Sequence, residues 1–228
     1  MTRFANSLVI GAGGGIGRAI ADRLEAGGGK VARLSRSSDP AIDYLRPDSI
    51  NAAATAFAGS APFDLIFIAT GTLHGEDFGP EKSLKMLEAD QLDHYFRINA
   101  TGPALVARHF LPLLAKDGTF AALSARVGSI GDNRLGGWYG YRASKAALNQ
   151  LIRTLAIEVA RKHKAQRIVA LHPGTVDTDL SAPFQGNVPE GKLFTPDHSA
   201  QRLLTVLETL TPEQSGRHFD WAGEEVIP

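Results

Sequence analysis

Tyr141 and Lys145 stand four residues apart in the run Tyr141-Arg142-Ala143-Ser144-Lys145, a spacing that brings both side chains onto one face of a helix. An isolated phenol titrates near a pKa of about 10 and is a poor acid or base at neutral pH. A neighbouring ammonium favours the phenolate, so the pair points to general acid–base chemistry. The same spacing also arises by chance on amphipathic helices. A second constellation, Gly11-Ala12-Gly13-Gly14-Gly15-Ile16-Gly17, lies between an apolar run and a helical pattern. A pyrophosphate rests on helix N-terminal amides only where no side chain covers the backbone. Gly11, Gly15 and Gly17 would supply the tight turn, the close approach and the helix–strand packing. Their spacing departs from the usual G-x-G-x-x-G, and a merely flexible turn is the plain alternative.

The residues after the second apolar run bear on which dinucleotide such a loop would take. An NAD site offers an acidic side chain there for the ribose hydroxyls. Here the position falls on Ser35, followed by Arg36. A hydroxyl and a cation suit a 2′-phosphate, so NADP(H) is preferred over NAD(H). Asp43 follows, placed either to bond an adenine amino group or to serve as a turn residue before Pro47.

These groups need rigid elements to hold them, and the chain has the right composition. It has 228 residues, 43% of them hydrophobic, and 24 Lys+Arg balance 24 Asp+Glu. That length suits one domain over 1–228. A neutral chain lacks the basic footprint of a nucleic-acid or anionic-membrane partner, so neither is expected. The sequence contains no cysteine, which rules out disulfides, thiolate chemistry and cysteine-ligated metal. The seven histidines (74, 94, 109, 163, 172, 198 and 218) form no metal-binding helical pair, so no metal is expected. The longest aliphatic run, Leu65–Ala69, is too short to span a bilayer. The N-terminus does not read as a signal peptide, and a cytoplasmic location is the expectation.

Short apolar runs at Leu8–Ile10, Val31–Leu34, Ala41–Tyr44, Asp64–Ala69, Thr119–Ser124, Arg167–Leu171 and His218–Asp220 read as strands. Helical patterns fall between them: Ile16, Ile20 and Leu24 up to Gly27; Ala52–Ala58; Gln91–Leu114, broken at Gly102-Pro103; Trp138–Lys162; and His198–Leu210. This alternation predicts an α/β fold, a doubly wound Rossmann-type domain. Its parallel sheet would have about seven strands, with helices on both faces. The Pro/Gly-rich stretch from Pro173 to Pro196 is too irregular for a core element. Its part from Leu180 to Pro196, with Phe184, Val188, Leu193 and Phe194, reads as a substrate loop over an apolar or mixed pocket.

Taken in order and spacing, the glycine loop and the tyrosine–lysine pair resemble the short-chain dehydrogenase/reductase superfamily, from Leu8 to the C-terminus. The stretches Arg126–Gly131 and Gly136–Tyr139 look closest to its C-factor and sniffer-type carbonyl reductase branch. The resemblance implies an NADP(H)-dependent oxidoreductase acting on a small carbonyl or alcohol substrate. Tyr141 would be the general acid, Lys145 would tune it and touch the nicotinamide ribose, and Asn99 would support a proton-relay water. The implied cofactor contacts are Gly11, Gly13, Gly15, Ile16, Gly17, Ser35, Arg36, Asp43, Ala69 and Gly71. Asn99, Tyr141, Lys145, Pro173, Gly174, Val176 and Thr178 complete that set. A homodimer or homotetramer through the two long helices is a further implication.

Two departures stand out. Where the family has Asn-Asn-Ala-Gly, this chain reads Ile68-Ala69-Thr70-Gly71. The family's serine pair falls on Ser124-Ala125, and alanine cannot polarise a carbonyl. Ser124 is taken as the candidate hydroxyl, with Ser129 the other option. The missing hydroxyl keeps a second reading open, a cofactor-binding sensor or signalling protein with weak or no turnover.

Overall fold

The computed structural model describes residues 3–228, without the side chain of Asn187. Strands β1 (Asn6–Ile10), β2 (Lys30–Leu34), β3 (Phe63–Ile68), β4 (Leu114–Leu123), β5 (Arg167–His172) and a short last strand (His218–Asp220) form the main sheet. All pairings within it are parallel. Helices α1 (Gly15–Ala26), α2 (Pro47–Ala56), α3 (Ala89–Phe96), α4 (Gly102–Phe110), α5 (Tyr139–Ala160) and α6 (Pro196–Thr209) make the connections. Two further short strands, β6 (Thr175–Val176) and β7 (Leu193–Phe194), form a separate parallel pair. The last strand is therefore β8, and the sheet order is β2-β1-β3-β4-β5-β8.

Alternation along each buried strand sends successive side chains to opposite faces. Leu8, Ile66, Phe120 and Ile168 pack with Ile50, Val106 and Leu148 of α2, α4 and α5 on one face. Val9, Leu65, Phe67 and Val169 pack with Ile20, Leu24 and Leu203 of α1 and α6 on the other. Each such aliphatic or aromatic side chain, fully removed from water, contributes about 1.5–3 kcal/mol. No helix among the described residues is long and apolar enough to cross a membrane.

The sheet has six strands rather than about seven, because Ala41–Tyr44 pairs with no strand. That segment instead buries Ile42 and Tyr44 in the core, and the Tyr44 hydroxyl accepts a hydrogen bond from Thr70 at 3.0 Å. Its apolar residues mark a core contact, not a ladder. The Gln91–Leu114 pattern also differs from expectation. The helix does not break at Gly102-Pro103; a wider π-turn over Arg97–Thr101 joins α3 to α4. Pro103 follows that π-turn inside a continuous helical run, since Thr101 and Gly102 are already helical, and the wider turn just before it is where the hydrogen-bond ladder adjusts to the missing N–H. The stretch from Pro173 to Pro196 carries the β6–β7 pair and a 3₁₀ turn over Ala182–Asn187.

Candidate active site

The chain runs from β1 out to β2 and then crosses back over β1 to β3 on its other side, so a crevice opens at the carboxyl ends of the strands. A cavity of about 740 Å³ occupies it, lined by Gly15, Ile16, Ala69, Gly71, Ser124, Tyr141, Lys145, Pro173, Gly174, Val176 and Thr178 among others. The glycine loop makes one wall. Gly11 holds φ at +90°, and a Cβ there would lie 2.9 Å from the Ala69 carbonyl; only glycine fits both demands. A Cβ on Gly17 would collide with the Gly11 carbonyl oxygen, so the turn and the helix are packed backbone to backbone. Gly14 caps α1 without a side chain. The amides of Gly15 and Ile16 therefore open the helix where no intrahelical acceptor exists. This uncovered cradle fits a dinucleotide's phosphates.

At the outer end, Ser35 lies beside the loop, 3.7 Å from where a Cβ on Gly13 would stand, and its hydroxyl is shared with Ser37. Arg36 is exposed. Asp43 is different. Its two carboxylate oxygens accept from the Leu45 amide at 3.0 Å and from Arg46 at 3.2 Å. The aspartate is thus engaged within its own turn.

The opposite wall is made of buried side chains. Tyr141 and Lys145 lie on α5, and the ammonium sits 5.9 Å from the centre of the Tyr141 ring. Lys145 Nζ donates to the Leu123 carbonyl at 2.9 Å. Burial pushes its pKa down to about 8. Burial also pushes the Tyr141 phenol up, with Tyr95 adding to the rise. Burial is the first cause of that rise, so the phenol lies above its ordinary value and Tyr141 is held in its protonated form. Asn99, in the π-turn, accepts from the Thr72 amide at 2.8 Å and donates to the Thr72 carbonyl and the Ser144 hydroxyl, each at 3.0 Å. It stands just behind Gly71, where a Cβ would lie 3.4 Å from both Asn99 Oδ1 and Lys145 Nζ.

The serine positions resolve unevenly. Ser124 Oγ donates to Asn149 Oδ1 at 2.7 Å, so its proton is turned to the flank of α5. Ser129 accepts from the Asp132 amide at 3.0 Å. Ala125 is the residue packed with Tyr141, Tyr95 and Leu73. The methyl group of Ala125 packs in the cluster that holds the tyrosine, while Ser124, still bonded into the sheet through the Leu171 carbonyl, keeps the strand alternation and faces α5. Trp138 and Phe184 complete that aromatic wall, 5.2 Å apart.

Sequence reasoning passed over His172, which lines the cavity; burial pushes it down to about 4, so it is neutral at pH 7. It also passed over Ser144, whose only signal was its place inside the tyrosine–lysine motif. Among the described residues no group of His, Asp and Glu side chains could hold a metal ion.

A short-chain dehydrogenase/reductase family model, described as enoyl-(acyl carrier protein) reductase, matches residues 11–209. The chain is 31% identical over 222 residues to 1-hydroxy-2-glutathionyl-2-methyl-3-butene dehydrogenase of Rhodococcus sp. (strain AD45), covering 92% of this chain and 93% of that protein. It is 40% identical over 133 residues to C-signal of Myxococcus xanthus, covering 58% of this chain and 75% of that one. The fold matches NADPH-bound carbonyl reductase from chicken fatty liver with a TM-score of 0.86 at 24% identity, covering 100% of this chain and 96% of that one. With a family match spanning the glycine loop, the tyrosine–lysine helix and the sheet between them, this chain belongs to the short-chain dehydrogenase/reductase family of oxidoreductases.

Proposed function

We propose that this chain is an NADP(H)-dependent reductase of small carbonyl compounds, with Tyr141 as the proton donor. The observation that carries the reading is the joint burial of Tyr141 and Lys145 in the crevice that the bare glycine loop opens. Gly15, Ile16 and Thr178 would hold the phosphates, and Ser35 with Arg36 would take the 2′-phosphate. When bound, the reduced nicotinamide supplies the hydride. The NADPH-bound state of the chicken carbonyl reductase agrees with this choice of cofactor.

Burial keeps Tyr141 protonated at neutral pH, which is the form needed to give a proton to a carbonyl oxygen. The phenolate left behind is stabilised by the Lys145 ammonium, still cationic at pH 7 with a pKa of about 8. Asn99 and Ser144 fix the floor beneath that pair. With Ala125 at the neighbouring position, Tyr141 is left as the main donor to the developing oxyanion. Electron-poor carbonyls, which need less polarisation, should therefore be the better substrates.

NADPH consumption over a panel of aldehydes and ketones tests the reading. Tyr141→Phe keeps the ring's packing and deletes the proton, so turnover should fall by about 10²–10⁴-fold while NADPH binding survives. Normal turnover by that variant would end the proposed mechanism. The engaged hydroxyls of Ser124 and Ser129 favour one other reading, a cofactor-binding sensor. Tight NADPH binding with no turnover on any carbonyl would select it.

A further inference from the structure

Glu81 is fully buried in the segment between β3 and α3, and the proposed proton transfer makes no use of it. Its Oε2 accepts from the Gly140 amide at 3.1 Å, while Oε1 has no hydrogen-bond partner. No lysine or arginine among the described residues forms an ion pair with it. A buried carboxylate is costly unless something compensates it. Here the compensation is the positive end of the 22-residue helix α5, whose first turn presents unpaired amides.

The main chain of the same residue makes a second grip. The Glu81 carbonyl accepts from the amide of Trp138, the only non-glycine residue with positive φ among those described, at 54°. The grips thus fall on residues 138 and 140, and Tyr141 is next. The contact is tight from both sides: a Cβ on Gly140 would overlap the Tyr95 ring and lie 2.9 Å from Glu81 Oε1. Tyr95 and Trp138 in turn flank the Tyr141 ring, at 6.4 and 6.2 Å between centres.

We propose that Glu81 is a positioning residue of the reaction: its carboxylate clamps the first turn of α5 to the 72–88 segment. The clamp sets Tyr141 and Trp138 at the cavity wall. The inference rests on the reductase reading, so its test includes a readout that needs no turnover. Glu81→Leu removes the acceptor and keeps the volume. Glu81→Gln keeps an oxygen for the Gly140 amide.

For each protein, kcat and KM on a carbonyl that wild type reduces, the NADPH dissociation constant, and amide hydrogen exchange at residues 138–142 are measured. Glu81→Leu should lose about 10- to 100-fold in kcat through misplacement of Tyr141. Its KM and NADPH affinity should stay within about threefold, and its 138–142 amides should exchange faster. Glu81→Gln should restore slow exchange and most of kcat. Wild-type kcat and exchange in Glu81→Leu would overturn the proposal. So would Glu81→Gln as impaired as Glu81→Leu, or a loss of NADPH binding that parallels the loss of kcat. Should Glu81→Leu fail to fold, Gly140→Ala pushes on the same contact, and unchanged kcat there overturns the clamp equally. If wild type reduces no carbonyl, the reductase reading falls, and the exchange data still decide whether the clamp exists.

Discussion

The two walls of the cleft are built on opposite principles. The glycine wall is backbone: Gly11 donates to the Leu34 carbonyl at 2.8 Å, Gly14 donates to Gly11 at 3.1 Å, and Gly13–Gly15 lie exposed. The tyrosine wall is side chain: Asn99, Ser124, Tyr141 and Lys145 come from the π-turn, the end of β4 and α5, and all are buried. A backbone wall gets its chemistry from amide direction and needs water kept out only when loaded. A side-chain wall gets its chemistry from desolvation, which moves Tyr141 up and Lys145 down before any ligand arrives. Substitutions should therefore act on affinity at the first wall and on rate or stability at the second.

The largest effect should come from the tyrosine wall. Ala125 packs beside Tyr141, so Ala125→Ser would place a second donor near the oxyanion. The carbonyl reduction rate should rise by up to about 10²–10³-fold, most for unactivated ketones. No gain there, with a loss of that size in Ser124→Ala, would mean that Ser124 leaves Asn149 to serve the substrate.

Lys145 sharpens the contrast further. Its fall from an ordinary 10.5 to about 8 on burial corresponds to about 3 kcal/mol that the charged form costs the fold. The unfolded chain binds the extra proton between pH 8 and 10.5, so this penalty is full below pH 8 and fades as pH rises through that window. Lys145→Met should then raise the thermal midpoint of the cofactor-free protein at pH 7, and less at pH 10, while turnover is lost. In wild type, reduction should decline above about pH 8 as the ammonium titrates. A destabilised Lys145→Met at pH 7 would contradict the desolvation account.

The smallest effect belongs to the glycine wall. Arg36 is exposed and has no hydrogen bond or ion pair among the described residues. If it takes the 2′-phosphate, Arg36→Ala should weaken NADPH by several-fold to a hundredfold, about 1–3 kcal/mol, and leave NADH and the thermal midpoint unchanged. Equal losses for both cofactors, read by titration, would remove Arg36 from that role.

Legibility in the sequence divides along the same line. The β1–loop–α1 unit and the facing of Tyr141 and Lys145 are local matters, set within a few residues by glycine conformations and the helical repeat. Short apolar runs likewise marked the six strands of the main sheet to within a few residues, except that β4 begins five residues earlier, at Leu114. The same signal misled at Ala41–Tyr44, because burial of Ile42 and Tyr44 writes the same pattern as a strand without any ladder.

What the sequence determined by itself is the kind of fold and the types of group that could meet, since periodicity and turn chemistry act over one or two turns of chain. Tertiary structure decided the rest. Glu81 meets Gly140 across 59 positions, Ala125 packs with Tyr141 while Ser124 turns to Asn149, and burial raises the phenol. Each of these depends on which distant segments exclude water from a given atom, and no local pattern carries that information.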